Sequence, residues 1–251
     1  MLGLPPHVTT CLFDLDGVLT QTALVHNAAW KETFDEYLRR RADADGTSFV
    51  PFDSGSDYLK YVDGRQRADG VRTFLASRGI ELPEGTPEDG VDAETINGIG
   101  NRKNVLVLKN IAEGKVKVYD GSVTYLHAVR DAGMRTAVVS ASANCRDVLR
   151  AAGIEELLEE RVDGVVARAE GLPGKPAPDT FLAAAKRLGV DPQNAAVFED
   201  ALAGVEAGKA GGFGFVVGVD RVGHADDLRA HGADIVVSDL AELLDGGESS
   251  R

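Results

Sequence analysis

The sequence predicts a doubly wound, Rossmann-like α/β fold: a parallel sheet covered by helices on both faces, with an α-helical cap domain inserted early in the chain. Three observations carry this prediction. Apolar runs of strand length recur along the chain and end at polar residues. Segments of helical period alternate with them, most ending at a glycine. Between residues 21 and 117 the alternation stops and only helical patterns are found. Near-continuous apolar strands alternating with helices are the pattern of a parallel sheet buried on both faces.

The strand-like runs are VTTCLF (8–13), MRTAVVS (134–140), DGVVA (163–167), AAVFED (195–200), GFVVGV (214–219) and DIVVS (234–238), several of them rich in β-branched residues. Helical patterns lie between them at 122–133, 144–153, 179–189, 201–212 and 224–232, and glycine after the last periodic residue is a common helix stop. The interrupting segment reads as helices at 26–42, 57–64, 68–79 and 92–114, with a polar, glycine-rich loop at 43–56. The expected division is therefore an α/β core of residues 1–20 and 118–251 and a cap of residues 21–117. Open α/β sheets bind ligands beyond the carboxyl ends of their strands, where such a cap could exclude water. The terminal DGGESSR (245–251) reads as a frayed polar tail.

The bulk numbers narrow the function. The 251 residues carry 27 Lys plus Arg against 40 Asp plus Glu, a formal net charge of −13. That sign disfavours nucleic acid and anionic membrane as partners, because both are polyanions, but it permits a small anionic substrate in a locally positive pocket. No stretch approaches the roughly 18 apolar residues that a membrane span needs, and MLGLPPHVTT lacks a secretory pattern. The two cysteines, Cys11 and Cys145, make no disulfide framework, so reduced thiols in a cytoplasmic protein are expected; a monomer is expected separately. GLPGKPA (171–177) lacks the spacing and the hydroxyl of a P-loop, GGFG (211–214) follows a helix rather than a strand, and no zinc spacing occurs.

The chemistry collects at strand ends. Asp14 and Asp16 follow the first run, Ser140 ends VVS, Lys175 precedes PAPD, and Glu199 and Asp200 end AAVFED. Singly, each has an ordinary explanation: turn former, ST-turn, surface charge or helix cap, the last also fitting Asn144. Together, several carboxylates converging on one sheet edge would repel unless a cation joins them. Hard oxygen donors suit Mg²⁺, and a lysine with a hydroxyl suits phosphate oxygens. One aspartate can then serve as a nucleophile and the other as an acid/base, with Gly17 letting the backbone turn past the reacting group.

In order and spacing, DLDGVLT, the VVSAS strand end, GKPAPD and FEDALAG resemble the four motifs of the haloacid dehalogenase-like (HAD) superfamily of phosphotransferases. The resemblance covers essentially the whole chain. It implies Asp14 as nucleophile and Asp16 as general acid/base. Ser140 and Lys175 would bind the transferring phosphate. Asp14, the Asp16 carbonyl and Asp200 would hold Mg²⁺, with Glu199 in direct or water-mediated support. Within the superfamily, SASAN (140–144), KPAPD (175–179) and TQTALVHNAAW (20–30) are most similar to the β-phosphoglucomutase family. That likeness adds Gly17, Ala141 and Asn144 to the phosphate and substrate side. In the cap it implies Thr22, His26 and Trp30, Arg67 of VDGRQRADGV for a distal phosphate, and Lys103 and Asn104 of NRKN. The chain departs from its relatives at Ala143, at Asp120 and in the extra 43–56 loop. His26 and Trp30, four residues apart on one helix, also fit simple packing.

The resemblance implies interconversion of β-glucose 1-phosphate and glucose 6-phosphate through an aspartyl phosphate and a bisphosphate. A phosphatase of the same superfamily, acting on a small sugar or polyol phosphate, is the alternative, and a catalytically inactive binding protein a third. Dehalogenase chemistry does without Asp16 and the metal, and a phosphonatase needs a cap lysine for a Schiff base that the chain does not clearly offer.

Overall fold

The structure is a computed structural model and describes residues 2–244; the 245–251 tail lies outside them. The chain forms two compact units, Met1–Thr22 with Val116–Arg251, and Ala23–Lys115.

The first unit is built on six parallel strands: β1 (Thr10–Phe13), β2 (Arg135–Val139), β3 (Glu160–Val162), β4 (Ala195–Glu199), β5 (Phe215–Val219) and β6 (Ile235–Val237), in the order β3-β2-β1-β4-β5-β6. β1 is central and wholly buried, in keeping with its largely apolar TCLF run. Phe13 stands level with Val138 of β2 and Phe198 of β4, so the residues just beyond these strands emerge at one edge. Phe13 stacks on Phe198 at 4.5 Å between ring centroids, and Tyr125 closes on both rings. Helices α4 (Asp120–Asp131), α5 (Cys145–Ala152), α6 (Gly164–Glu170), α7 (Asp179–Leu188), α8 (Leu202–Ala210) and α9 (Ala225–His231) join the strands.

One strand expectation is overturned. DGVVA is not a strand: Asp163, fully buried, accepts hydrogen bonds from the Val165 and Val166 amides and starts α6. The strand is the preceding Glu160–Val162, charged because it lies at the sheet edge.

The second unit carries α1 (Thr22–Asp45), a short π-helical turn (Tyr58–Val62), α2 (Arg67–Ser77) and α3 (Ile96–Ala112). α1 runs three residues further at its C-terminus than the predicted 26–42, and begins four earlier. Trp30, Phe34, Phe52 and Phe74 form its aromatic core, Trp30 stacking on Phe34 at 5.0 Å. Phe52 comes from the 43–56 loop, so that loop contributes to the core.

Where the chain leaves and re-enters the α/β unit, its two crossings pair. Gln21 N–H donates to Lys117 O (2.8 Å), Tyr119 N–H donates to Leu19 O (3.0 Å), and Thr20 bridges Val118 in antiparallel sense.

Candidate active site

The site is built on the turn that follows β1. Asp14 N–H still belongs to the sheet, donating to Phe198 O at 2.9 Å. The chain then closes on itself: Thr20 N–H reaches Leu15 O at 2.9 Å and Gly17 N–H reaches Thr20 O at 2.7 Å. Gly17 has φ of 93°, a region that side chains rarely adopt. A Cβ at this position would also lie 1.7 Å from Asp200 Oδ2, so backbone and neighbour alike favour glycine.

Lys175 is buried and uses all three of its protons. It donates to Asp14 Oδ1 (2.5 Å), to Val139 O (3.1 Å) and to Glu199 Oε1. Burial alone would lower its pKa, but the Asp14 and Glu199 carboxylates outweigh that and hold the ammonium charged. Asp14 is pushed up by burial, with Glu199 and Asp16 adding to the effect and Lys175 opposing it. The surface-charge reading of Lys175 is thereby ruled out.

Asp16 points elsewhere. Its Oδ1 accepts from Thr22 Oγ1 and its Oδ2 from Ser140 Oγ at 3.3 Å. Ser140 also accepts from the Ser142 amide at 3.1 Å, the bond of an ST-turn, while its hydroxyl faces Asp16. Asn144 stands at the N-terminus of α5 but makes no capping bond with its side chain. Ala141, half-buried, lies in the same loop.

Carboxylate oxygens of Asp14, Glu199 and Asp200 lie within 4.8 Å of one another, and all three residues are buried. Asp200 does not cap α8; Ala201 occupies that position. Glu199 is engaged on both oxygens, by Lys175 and by the Ala201 amide at 3.0 Å. A Cβ at Gly204 would strike Glu199, so the helix backbone packs directly against this carboxylate. One ammonium cannot neutralise three clustered carboxylates, and a hard divalent cation fits this all-oxygen set. Asp14 and Asp200 could give it side-chain oxygens, with Glu199, bonded to Lys175 and the Ala201 amide, in indirect support.

In the helical unit, Lys103 of α3 is buried and its Nζ lies 2.6 Å from His26 Nδ1, with the Trp30 ring centroid 4.7 Å away. Trp30 belongs to the aromatic core and meets the polar residues through Lys103. Arg67 Nη2 donates to Asn101 Oδ1 at 3.3 Å, while the Asn101 amide group donates to Pro87 O and Asp89 O. Asn104 follows Lys103 and is half-buried.

Sequence reasoning missed the segment after β5. Arg221 donates from Nε to Gly17 O at 3.0 Å, and His224 Nε2 lies 3.0 Å from Asp200 O. The signal available was their place just beyond a strand end at the site's edge of the sheet. The cysteines take no part: burial pushes both thiols up and leaves them protonated.

A buried carboxylate beside a charged lysine, a second carboxylate held by hydroxyls and a cluster of three carboxylates that could hold a hard cation are the parts a phosphoryl-transfer enzyme on a doubly wound sheet would need. Comparison with known proteins agrees. The haloacid dehalogenase-like hydrolase family model matches residues 8–212. A protein named Beta-phosphoglucomutase from Mycobacterium bovis is 58% identical over 247 residues, covering 97% of this chain and 94% of that one. The crystal structure of beta-phosphoglucomutase from Clostridium difficile superposes with a TM-score of 0.72 at 27% identity, covering 94% of this chain and 93% of that one. A hydrolase from Pseudomonas syringae shares the fold, with a TM-score of 0.75 at 21% identity over 95% of this chain and 97% of that one. The chain belongs to the haloacid dehalogenase-like family, and it is an enzyme of that family.

Proposed function

We propose that this enzyme is a β-phosphoglucomutase, interconverting β-glucose 1-phosphate and glucose 6-phosphate. The observation that carries the reading is the 58% identity, over 97% of the chain, to a protein of that name. The intact set Asp14, Asp16, Ser140, Lys175 and Asp200 supplies the chemistry it needs.

In the first half-reaction the sugar's 6-hydroxyl attacks the phosphorus of an Asp14 aspartyl phosphate. Asp16 takes the hydroxyl proton, and the bond between the Asp14 oxygen and phosphorus breaks. In the second, Asp14 attacks the 1-phosphate of the bisphosphate and Asp16 returns the proton to the departing C1 oxygen. Lys175, charged throughout, neutralises the phosphoryl oxygens as their negative charge shifts. Mg²⁺, held by Asp14, Asp200 and the Asp16 carbonyl with Glu199 in support, would neutralise the same charge when bound. Ala23–Lys115 serves as the cap. His26, Lys103 and Asn104 belong to its substrate-facing set, and Arg67 binds the phosphate that is not reacting. The cytoplasm and a monomeric state suit the reading, and no helix among the described residues is long and apolar enough to cross a membrane.

The test supplies β-glucose 1-phosphate with a trace of the 1,6-bisphosphate and Mg²⁺. Glucose 6-phosphate should accumulate with little free phosphate. Glucose and phosphate as the main products would make the enzyme a phosphatase.

A further inference from the structure

No motif marks the segment that follows β5, yet it grips the turn carrying the reacting carboxylates. We propose that Arg221 is a positioning residue for Asp16: its guanidinium fixes the Gly17–Val18 backbone and, through it, the geometry of proton transfer. The proposal rests on the phosphoryl-transfer reading above.

Gly17, with φ of 93°, directly follows Asp16 and has no side chain to lock its conformation. Arg221 supplies that lock from outside. Nε donates to Gly17 O (3.0 Å) and Nη2 to Val18 O (3.4 Å), while Nη2 also donates to Ser122 Oγ (3.1 Å). Nη1 donates to Ser238 O (2.5 Å) and to Asp239 Oδ2 (3.2 Å), and the guanidinium carbon lies 3.6 Å from the Tyr119 ring centroid. The side chain is 13% exposed. The planar fork thus ties the catalytic turn to the loops after β5 and β6 and to the start of α4, a geometry lysine cannot copy.

The segment is itself held in shape. Asp220 Oδ1 accepts from the Val222, Gly223 and His224 amides, and His224 Nε2 reaches Asp200 O. Thr22 and Ser140 orient the Asp16 carboxylate. Arg221 fixes the other end, the backbone from which that carboxylate extends.

A brace for Asp16 differs measurably from a mere structural staple. When a sugar oxygen leaves phosphorus it takes the bonding electron pair and needs a proton from Asp16. p-Nitrophenolate leaves with its pair and needs none. Misplacing Asp16 therefore slows transfer from a sugar bisphosphate far more than release of p-nitrophenol.

The experiment compares wild type, Arg221→Lys and Asp16→Asn in single turnover with Mg²⁺. It measures phosphoryl transfer to Asp14 from glucose 1,6-bisphosphate and the burst of p-nitrophenol from p-nitrophenyl phosphate. In Arg221→Lys the ratio of the first rate to the second should fall roughly 10- to 100-fold, the scale of an ångström misplacement, and in the direction that Asp16→Asn sets. Equal loss on both substrates, or an unchanged ratio, overturns the proposal.

If Arg221→Lys fails to give a cooperative melt, Asp239→Asn decides. It loosens the guanidinium while keeping a residue able to cap the turn at Leu240–Leu243, and its ratio should fall in the same direction; an unchanged ratio overturns the proposal. A wild type that releases p-nitrophenol but does not use the bisphosphate defeats the mutase reading instead. The same ratio, taken with glycerol phosphate, then judges Arg221 by the same outcomes.

Discussion

Gly17→Ala puts the carboxylate cluster under direct mechanical test. The added Cβ would lie 1.7 Å from Asp200 Oδ2 and 2.4 Å from its Cγ, where about 3.0 Å is the closest approach that real Cβ atoms show. Asp200 must therefore retreat by at least the difference, 3.0 − 1.7 = 1.3 Å, or the turn must open by as much. The positive φ adds about 1–2 kcal/mol of backbone strain. The fold tolerates that, since the clash meets a side chain rather than the sheet, and the melting temperature should fall by only a few degrees. The cation site should not tolerate it. Its ligands must converge to within a few tenths of an ångström, and disturbing such support lowers metal affinity about 10- to 100-fold. The assay is a Mg²⁺ titration of mutase activity, beside a calorimetric Mg²⁺ titration of the protein without substrate. Half-saturation should shift upward by that factor in both. A variant with wild-type Mg²⁺ dependence and wild-type turnover would show that Asp200 does not hold the ion.

Two further outcomes follow from the ion pairs and turns. Lys175→Met removes the one ammonium among Asp14 and Glu199, so chemical denaturation should show a loss of about 3–5 kcal/mol, and saturating Mg²⁺ should restore part of it; no loss would mean the carboxylates are already neutral. Burial works against the Asp220 charge, but the amides of His224, Gly223 and Val222 prevail and hold its pKa below 3.8. Its contribution to stability is then fully present above pH 3.8 and is lost as pH falls through the lower folded value. Asp220→Asn should cost about 1 kcal/mol at pH 7, with the gap closing below pH 3.8; a gap that widens in acid would contradict the assignment.

Much of this was legible in the sequence because β1 and β4 are largely apolar runs that end at carboxylates, which mark both the strand and the end that carries the polar groups. The helical insertion was legible because strand-like runs cease there. DGVVA misled because its apolar composition suits either a strand or a helix, and only the buried Asp163 cap decides between them. The extent of α1 was missed at both ends, where periodicity weakens before the hydrogen bonding does. The partners that orient the site were the least legible. Gly17 and Arg221 are 204 residues apart and His26 and Lys103 are 77, and no local pattern encodes a contact over such a separation.

The paired crossings at Leu19–Gln21 and Lys117–Tyr119 have a bearing on descent. Ala23–Lys115 departs and returns through one doorway whose two jambs are fastened to each other, so the sheet's wiring does not depend on what is threaded through it. Such an insert can be lengthened, rewritten or exchanged while the carboxylate machinery stays intact. If Ala23–Lys115 carries the substrate preference proposed for it, that preference and the reaction chemistry are free to evolve on separate clocks within a single chain.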